Sequence, residues 1–369
     1  MQKSPHPPPG PAAPARQQIR FARGHDGVRL AYAFSGQGPL LIKAATWLSH
    51  LEFDWESPVW RHLLDGLSVN ATFVRYDERG CGLSDWEVDD LGFDSWLRDL
   101  ETLVDALGAE RFGLLGISQG ASIAIAYAAR HPERVSHLVL HGGYARGRLV
   151  RNPTPEQREE AEMMRKLAEL GWGKQDTAFR QFFTSQFIPG GTPEQHRWFN
   201  ELERISTSPA NAARFMREFD NINVVARLAE VHCPTLVLHS TRDVRVPFAE
   251  GRLIASAIPG ARFVPIDSGN HLVLGHEPGW AHWLAEVRSF LAETAPARAA
   301  VFETLTARER ELLELLAQGR DNAQIAATLG LSEKTVRNRL TSVFAKLEVD
   351  SRGRAIVLAR DSGFGKLTA

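Results

Sequence analysis

Short apolar runs rich in β-branched residues alternate with amphipathic helical patterns over about the first 290 residues. Eight of these runs are predicted strands, at residues 19–22, 29–34, 40–44, 71–76, 112–116, 137–141, 235–239 and 262–266. Helical patterns such as 96–106 and 121–130 lie between the later runs. This alternation predicts an α/β fold with a mostly parallel sheet and helices on both of its faces. The first two strands, joined by a short turn, are expected to form an antiparallel edge.

The pattern changes over residues 147–228, which contain several amphipathic helical stretches and no strand candidate. Turn-forming residues separate these stretches at Asn152-Pro153, Ile188-Pro189-Gly190-Gly191 and Ser208-Pro209. We interpret the segment as a helical insertion in the sheet domain. The sheet pattern resumes after Cys233-Pro234 and ends with a predicted helix over 279–293.

The sheet domain is flanked by segments of biased composition. Residues 1–18 are predicted to form a disordered tail, because most of them are Pro, Ala or polar and they lack the apolar region of a secretory signal. Residues 294–300, rich in Ala and Pro, are the predicted linker. A chain of 369 residues is long enough for two domains, so the second is placed at 301–369.

Composition narrows the classes of protein. Hydrophobic residues make up 43% and charged residues 24%, and no apolar run approaches the roughly 18 to 20 residues that span a bilayer, so no membrane association is expected. Cys81 and Cys233 form no disulfide framework, which favours the cytoplasm as the location. The sequence contains neither a phosphate-binding loop nor a cluster with metal-ligand spacing, so we expect no cofactor and no metal.

A serine flanked by glycines follows one of the predicted buried strands, in the segment Gly116-Ile117-Ser118-Gln119-Gly120. This is the position that a nucleophile elbow requires, because the tight strand-to-helix turn leaves no room for side chains at the glycines and exposes the serine hydroxyl. The pattern alone fits an ordinary turn equally well. Asp243 and His271 favour the elbow, since they follow the predicted strands 235–239 and 262–266 at the carboxyl edge of a parallel sheet.

The chain order of Ser118, Asp243 and His271 is that of the α/β-hydrolase superfamily, which the chain resembles over residues 19–293. Residues 147–228 stand in the place of the helical lid of that superfamily. The resemblance implies that Ser118 is the nucleophile, His271 the general base and Asp243 the carboxylate that orients the base. It also implies an ester or another acyl compound as substrate.

A second signature of the superfamily is matched by Tyr76-Asp77-Glu78-Arg79-Gly80-Cys81-Gly82-Leu83-Ser84. The resemblance implies structural roles for Asp77 and Arg79. Asp77 therefore ranks below Asp243 as the carboxylate of the triad.

The predicted oxyanion hole departs from the superfamily pattern. Many members carry His-Gly after the third strand, where this chain has Ala44-Ala45-Thr46-Trp47. Backbone N–H groups survive a change of side chain, so the N–H of Thr46 or Trp47 remains able to pair with that of Gln119 to stabilise an oxyanion. The alternative is that the bulky Trp47 side chain fills the site.

Short helices with one tight turn are predicted after the linker. Thr306 and Glu309 have the spacing of a capping box before an amphipathic helix. A short helix over 322–329 leads into Gly330-Leu331-Ser332, whose serine can cap a third helix over 333–346. Three helices with a tight turn between the last two are the plan of a helix-turn-helix domain.

The third of these helices combines an apolar stripe with a basic face. Val336, Leu340, Val343 and Leu347 recur at helical spacing and are predicted to be buried. A basic helix face is usually only solvated surface, but this one occupies the recognition position. The groups available there for phosphates and base edges are those of Lys334, Thr335, Arg337, Asn338, Arg339 and Ser342.

Residues 305–363 resemble the LuxR/FixJ-type DNA-binding domain. The motifs that carry the resemblance are Leu305-Thr306-x-Arg308-Glu309, Gln324-Ile325-Ala326, Leu331-Ser332-Glu333-Lys334-Thr335-Val336-Arg337-Asn338 and Lys346-Leu347. It implies that double-stranded DNA is a partner and that the last helix, 351–360, forms a homodimer. Two departures concern Arg339, where a His is common, and Glu348, where a Gly often ends the recognition helix. The DNA-facing residues that the resemblance implies are Lys334, Thr335, Arg337 and Asn338, with Arg339 beside them.

Two functions of different class fit these features. One is a transcriptional regulator whose hydrolase-like domain senses a small-molecule ligand, with or without slow hydrolysis. The other is a serine hydrolase, of esterase or lactonase type, whose helix-turn-helix serves dimerisation or recruitment. The first accounts for more residues, because a dedicated hydrolase has no use for a complete DNA-reading domain. Aromatic residues of the insertion form either a pocket wall or the core of the lid: Phe179, Phe182, Phe183, Phe187, Trp198 and Phe199.

Overall fold

The structure, a computed structural model, describes residues 17–174, 177–292, 302, 304–347, 349, 351–361 and 364–365. The chain divides into two compact units, Met1–Arg288 and Ser289–Ala369. Residues 1–16 of the predicted tail and the whole predicted linker, 294–300, lie outside the described residues.

The described part of the first unit is built on one sheet. Its strands are β1 (Gln18–Arg23), β2 (Arg29–Ser35), β3 (Leu40–Lys43), β4 (Thr72–Tyr76), β5 (Phe112–Ile117), β6 (Val135–His141), β7 (Thr235–Ser240) and β8 (Arg262–Ile266). Their order is β1-β2-β4-β3-β5-β6-β7-β8. β2 runs antiparallel to both β1 and β4, and the remaining neighbours are parallel. The predicted α/β class and the antiparallel edge are confirmed, and each strand ends close to its predicted bounds.

Helices connect these strands. They are α1 (Leu51–Trp55), α2 (Arg61–Ser68), α3 (Phe93–Ala106), α4 (Gln119–Arg130), α5 (Pro155–Gly171), α6 (Thr177–Phe187), α7 (Pro193–Ser206), α8 (Pro209–Asn221), α9 (Phe248–Ala257) and α10 (Pro278–Ala292). None of the helices in the described ranges has the length and apolar character that crossing a bilayer requires.

The segment predicted as a helical insertion contains α5 to α8 and a short 3-10 helix, Val225–Glu230. Thr154, Thr192 and Ser208 each accept a hydrogen bond from a backbone N–H in the first turn of the helix that follows, and a proline begins each of those helices. A capping side chain satisfies a free N–H, and proline has no N–H to lose there, so both residue types favour a helix start. Local sequence thus determines where these helices begin.

The junction of β5 and α4 lies in the core of this unit. All six residues of β5 are buried, and α4 is buried from Gln119 to Ala128. Dense packing on both elements restricts movement of the chain between them. The backbone of Ser118 is therefore held in one position.

The second unit is helical in its described residues. Its helices are α11 (Ala307–Ala317), α12 (Asn322–Leu329), α13 (Glu333–Lys346) and α14 (Arg352–Asp361). Thr306 and Glu309 form the predicted capping box, and Ser332 accepts the N–H of Thr335 at the start of α13. Gly330 ends α12 in the left-handed conformation, with φ of 64°. This conformation favours glycine and produces the tight turn between α12 and α13.

The second unit has its own hydrophobic core. The four residues predicted to be buried, three in α13 and Leu347 at its C-cap, are buried, and they pack with buried leucines of α11 and with Ile325 of α12. Ala355 and Ala359 of α14 complete this core. The apolar stripe of the recognition helix therefore faces inward, which leaves its basic residues on the outside.

Candidate functional site

Ser118 lies between β5 and α4 with φ of 53° and ψ of −125°. The backbone N–H of Ser118 donates to the carbonyl of His141 at 2.9 Å. A methyl group added at Gly116 would lie 2.5 Å from Cα of Ala121, and one added at Gly120 would lie 2.8 Å from the carbonyl oxygen of Ala45. Contacts this short exclude a side chain at either glycine, which is the physical requirement of a nucleophile elbow.

His271 is hydrogen-bonded to Asp243, the pair that the sequence analysis predicted. Nδ1 of His271 lies 2.6 Å from Oδ2 of Asp243, and both side chains are buried. The other carboxylate oxygen accepts the backbone N–H groups of Arg245 and Val246, at 2.8 and 3.0 Å. Burial acts to raise the pKa of Asp243, but His271 and these hydrogen bonds outweigh it and lower the pKa to about 2. The carboxylate is thus ionised at neutral pH and fixes the imidazole ring.

The other ring nitrogen of His271, Nε2, is buried and has no hydrogen-bond partner among the described residues. A methyl group added at Gly142 would lie 3.0 Å from Cε1 of His271, so the ring rests on the turn after β6. The backbone carbonyl of Phe187 accepts the N–H of His271 at 2.9 Å, and the two rings meet edge to face at 5.8 Å. The insertion therefore supports His271 directly through the end of α6.

The predicted oxyanion hole contains a contact that the sequence did not indicate. The backbone N–H of Trp47 donates to Oε1 of Gln119 at 3.3 Å, and Nε2 of Gln119 donates to Oε1 of Glu78 at 2.9 Å. Only the backbone N–H of Gln119 was predicted to take part in this site, whereas its side chain links the loop after β3 to the loop after β4. Thr46, the other candidate donor, is buried, and its hydroxyl accepts from Nζ of Lys43 at 3.2 Å.

The indole ring of Trp47 packs against the insertion. It stacks on Trp172 at 5.3 Å, meets Phe219 edge to face at 5.0 Å and lies 6.1 Å from Phe215. The ring is buried. The loop that supplies the predicted oxyanion donor is therefore in direct contact with the ends of α5 and α8.

The loop after β4 carries buried charges. Oδ2 of Asp77 accepts the N–H groups of Leu51 and Leu83, and Arg79 pairs with Asp99 and Asp26, each at 2.6 Å. These contacts hold the loop, in agreement with the structural roles that the family resemblance implies for Asp77 and Arg79.

Glu78 is also buried, and its Oε2 has no hydrogen-bond partner among the described residues. Burial raises the pKa of Glu78 to about 8, although the hydrogen bond from Gln119 opposes the shift. The unfavourable state of this side chain is therefore the ionised one.

The aromatic residues of the insertion have different surroundings. Phe187 contacts His271, and Phe199 packs on Phe187 at 5.5 Å. Phe183 packs on Trp172, whereas Trp198 stacks on Phe53 of α1 at 4.6 Å. The two remaining candidates, Phe179 and Phe182, lie against Phe183, and Phe182 is exposed. Of the six, Phe187 contacts a predicted catalytic residue.

The predicted DNA-facing residues lie on α13. Lys334, Arg337, Asn338 and Arg339 are exposed, and none of the three cations has an ion-pair partner among the described residues. Thr335 is half-buried, and its hydroxyl is 2.8 Å from that of Ser332, so it contributes to the helix cap.

Other basic residues of the second unit are engaged in contacts within the unit. Lys346 pairs with Glu309 at 2.7 Å, and Arg360 donates to the carbonyl of Ala317 at 2.7 Å. The exposed, unpaired charge of α13 is therefore concentrated near the start of the recognition helix, where a phosphate or base edge would be contacted.

The strand order and the serine elbow define the class of the first unit, and comparison with known families agrees. The chain belongs to the alpha/beta hydrolase fold family, which it matches over residues 54–278. Residues 303–359 match the bacterial regulatory proteins of the luxR family, so the second unit is a LuxR-type helix-turn-helix DNA-binding domain. The protein is thus a fusion of a hydrolase-fold domain with a DNA-binding domain.

Curated relatives and solved structures match the hydrolase part. Pyrrolizixenacetamide deacetylase of Xenorhabdus hominickii is 25% identical over 267 residues, which cover 71% of this chain and 94% of that protein. The AB hydrolase superfamily protein YisY of Bacillus subtilis is 28% identical over 214 residues, covering 54% of this chain and 74% of its own. The crystal structure of a hydrolase from Pseudomonas aeruginosa PA01 is similar with a TM-score of 0.61 at 25% identity, and covers 74% of this chain and 98% of its own.

Proposed function

We propose that the protein is a DNA-binding transcriptional regulator whose α/β-hydrolase domain binds a small molecule at Ser118 and slowly hydrolyses an ester or another acyl bond in it. The observation that carries the proposal is the hydrogen-bonded His271–Asp243 pair in the same chain as a recognition helix whose exposed cations have no ion-pair partner among the described residues. A domain that only bound a ligand would not require this pair. A domain that only hydrolysed a substrate would not require the recognition helix.

The proposed chemistry uses Ser118, His271 and Asp243 in the roles that the family assigns. Oγ of Ser118 attacks the acyl carbon while Nε2 of His271 takes its proton, and the ionised Asp243 stabilises the imidazolium that forms. His271 then protonates the leaving group. A water molecule, deprotonated by His271, attacks the acyl-enzyme and releases the acid and the free serine.

The negative charge on the acyl oxygen needs two donors, and the backbone N–H groups of Gln119 and Trp47 are the candidates. Because Oε1 of Gln119 accepts the N–H of Trp47, the substrate oxygen has to displace that side chain. This requirement supports slow turnover. The deacetylase from Xenorhabdus hominickii is, by its name, an enzyme that removes an acyl group, which supports the same class of reaction here.

A ligand alters DNA affinity only when it binds the DNA-competent arrangement and the incompetent one unequally. The predicted linker of seven residues reaches about 23 Å at most when extended, at roughly 3.3 Å per residue. The contacts of Trp47 and His271 with the insertion give the ligand site a physical connection to that segment, and we expect the insertion to move when a ligand binds. We expect the regulator to bind a pseudo-palindromic site as a homodimer in the cytoplasm.

Labelling with a fluorophosphonate tests the chemical part of this proposal. The wild type should be labelled, and Ser118→Ala should not. A wild type that stays unlabelled under conditions that label a control hydrolase would contradict hydrolysis while leaving DNA binding open.

A gel-shift titration tests the regulatory part. The full chain should shift promoter fragments near its own gene, and a fragment of residues 301–369 should bind the same site without any response to a ligand of the hydrolase domain. Binding that is unspecific and lost in moderate salt would favour the second candidate, a serine hydrolase that uses the helix-turn-helix for dimerisation or recruitment.

A further inference from the structure

Arg245, two residues after the predicted triad carboxylate, is a cation without an acidic partner among the residues that the structure describes. Its backbone N–H donates to Asp243, which fixes the start of the side chain. The guanidinium lies over the ring of Phe187, with Cζ 5.2 Å from the ring centre, and donates to Oε1 of Gln186 at 3.3 Å. Within the described ranges no carboxylate lies within ion-pair distance of it, although the residue is half-buried.

Phe187 connects this cation to the predicted general base. Its ring centre is 5.2 Å from Cζ of Arg245 and 5.8 Å from the ring centre of His271. The separation between the guanidinium and the imidazole therefore cannot exceed the sum of these two distances. Both groups therefore contact the same aromatic side chain of the insertion.

Further arginines follow β6 and increase the positive charge. Arg146 pairs with Glu250 and Arg148 pairs with Asp220, each at 2.6 Å. Arg151 lies farther from Glu250, at 3.9 Å. These two carboxylates are therefore already engaged.

Burial lowers the pKa of Arg245, and the charges of Arg148 and Arg151 lower it further, while Tyr144 and Asp220 oppose the shift without cancelling it. The net direction of the shift means that the negative charge around the guanidinium does not compensate for its burial. A bound anion would favour the charged guanidinium and so oppose this lowering of the pKa.

The structure assigns Arg245, we infer, as the binding group for a carboxylate on the small molecule that occupies the Ser118 site. This assignment rests on the proposed function and narrows its substrate class to anionic acyl compounds. The planar guanidinium offers paired N–H donors that match the two oxygens of a carboxylate. A half-buried cation that has no acidic partner among the described residues is unfavourable, and a bound carboxylate would supply that partner.

Two p-nitrophenyl esters of equal acyl length test the assignment with the full chain. The hexanoate is neutral, and the mono-ester of adipate carries a carboxylate at the far end of the acyl chain. The wild type should show the higher kcat/KM on the adipate ester. Arg245→Gln should lower the ratio of kcat/KM for the adipate ester to kcat/KM for the hexanoate by roughly tenfold or more. The reason is that hydrogen bonds to charged groups contribute more than hydrogen bonds between neutral groups. Arg245→Lys keeps the charge and should retain part of the preference.

Arg242→Gln is the matched control. Arg242 is an exposed arginine of the same loop, paired with Asp267 at 2.7 Å, and its loss changes the net charge equally. In Arg242→Gln, the ratio of kcat/KM for the adipate ester to kcat/KM for the hexanoate should equal that of the wild type. Equal ratios in the wild type, Arg245→Lys and Arg245→Gln would overturn the assignment while leaving hydrolysis at Ser118 intact.

Binding of adipate, followed by calorimetry, separates failure of this assignment from failure of hydrolysis. When neither ester is cleaved, the wild type should still bind adipate and Arg245→Gln should bind it at least tenfold more weakly. Equal affinity in the two proteins, or binding to neither, would overturn the assignment. Should Arg245→Gln fail to fold, Arg245→Lys provides the comparison, with an intermediate affinity expected.

Discussion

The backbone N–H of Trp47 donates to Oε1 of Gln119 at 3.3 Å, so a side chain of the protein occupies a donor that the reaction would use. The distance lies just beyond the usual range for an N–H···O bond, about 2.7 to 3.2 Å. The bond is therefore weak, and a substrate oxygen can replace it. The same side chain is anchored at its other end on Glu78, which restricts how far it can move.

Replacement of this side chain should increase the rate. We expect Gln119→Met to raise kcat/KM for p-nitrophenyl hexanoate by about fivefold, because a net hydrogen bond contributes about 1 kcal/mol and Met fills a similar volume without a strong acceptor. Steady-state kinetics measure the change. Glu78→Gln is the control, since it retains an acceptor for Nε2 of Gln119. A lower rate in Gln119→Met would show that the side chain supports the reaction.

The hydrogen bond between Asp243 and His271 should be required for catalysis. Asp243→Asn should lower kcat by about 10³- to 10⁴-fold, because an amide in this position favours the wrong imidazole tautomer. With a carboxyl pKa of about 2, Asp243 stays ionised in the wild type at every pH suitable for an assay. The variant should therefore be slow throughout the pH profile. Asp267→Asn, which alters an exposed carboxylate of the neighbouring loop, should behave as the wild type.

Burial of Glu78 should make the stability of the hydrolase domain depend on pH. The pKa of Glu78 is raised to about 8 in the folded state from its ordinary value of 4.5, so between these values the folded state binds a proton that the unfolded state has lost. The contribution of Glu78 to the free energy of unfolding therefore falls as the pH rises through this window.

Glu78→Gln tests this dependence. It should be more stable than the wild type at pH 9, with a smaller difference at pH 4, and each unit of pKa shift corresponds to about 1.4 kcal/mol. Urea denaturation at several pH values measures the difference. A constant difference over the whole range would mean that Glu78 does not change its ionisation in this window.

The unpaired cations of α13 should determine DNA affinity. Arg337→Ala should weaken binding to the specific site by about 1 to 3 kcal/mol, because the variant loses a phosphate or base contact without losing any contact inside the protein. Arg308→Ala removes an exposed arginine that pairs with Glu311 on α11, and its effect on affinity should be small. Fluorescence anisotropy at two salt concentrations measures both. An equal loss in the two variants would indicate that only net charge matters.

The order of strands and helices was predictable because each element carries a local signal. The strands are apolar runs, and Thr306, Ser332 and Gly330 have side chains or conformations that start or end helices wherever they occur. The recognition helix therefore begins and ends at its predicted residues. The positions of Ser118, Asp243 and His271 were predictable for a similar reason, since each follows a strand.

Contacts between distant segments were not predictable. Oε1 of Gln119 meets the N–H of Trp47, 72 residues away in the sequence, and nothing in either segment indicates that pairing. The surroundings of Arg245 depend likewise on Phe187, which belongs to the insertion. Such contacts depend on how the insertion packs on the sheet, and the periodicity of one element does not encode the position of another.

The backbone of Ser118, with φ of 53°, is one that glycine adopts at much lower energy than serine. A non-glycine residue in a sparsely populated conformation costs of order 1 to 3 kcal/mol. Ser118→Gly should therefore melt at a higher temperature than Ser118→Ala, although both lack the hydroxyl. The domain with glycine at position 118 should be more heat-resistant, so the serine hydroxyl is present at a cost in thermal stability. A turn needed only to shape a pocket would have no reason to accept that loss.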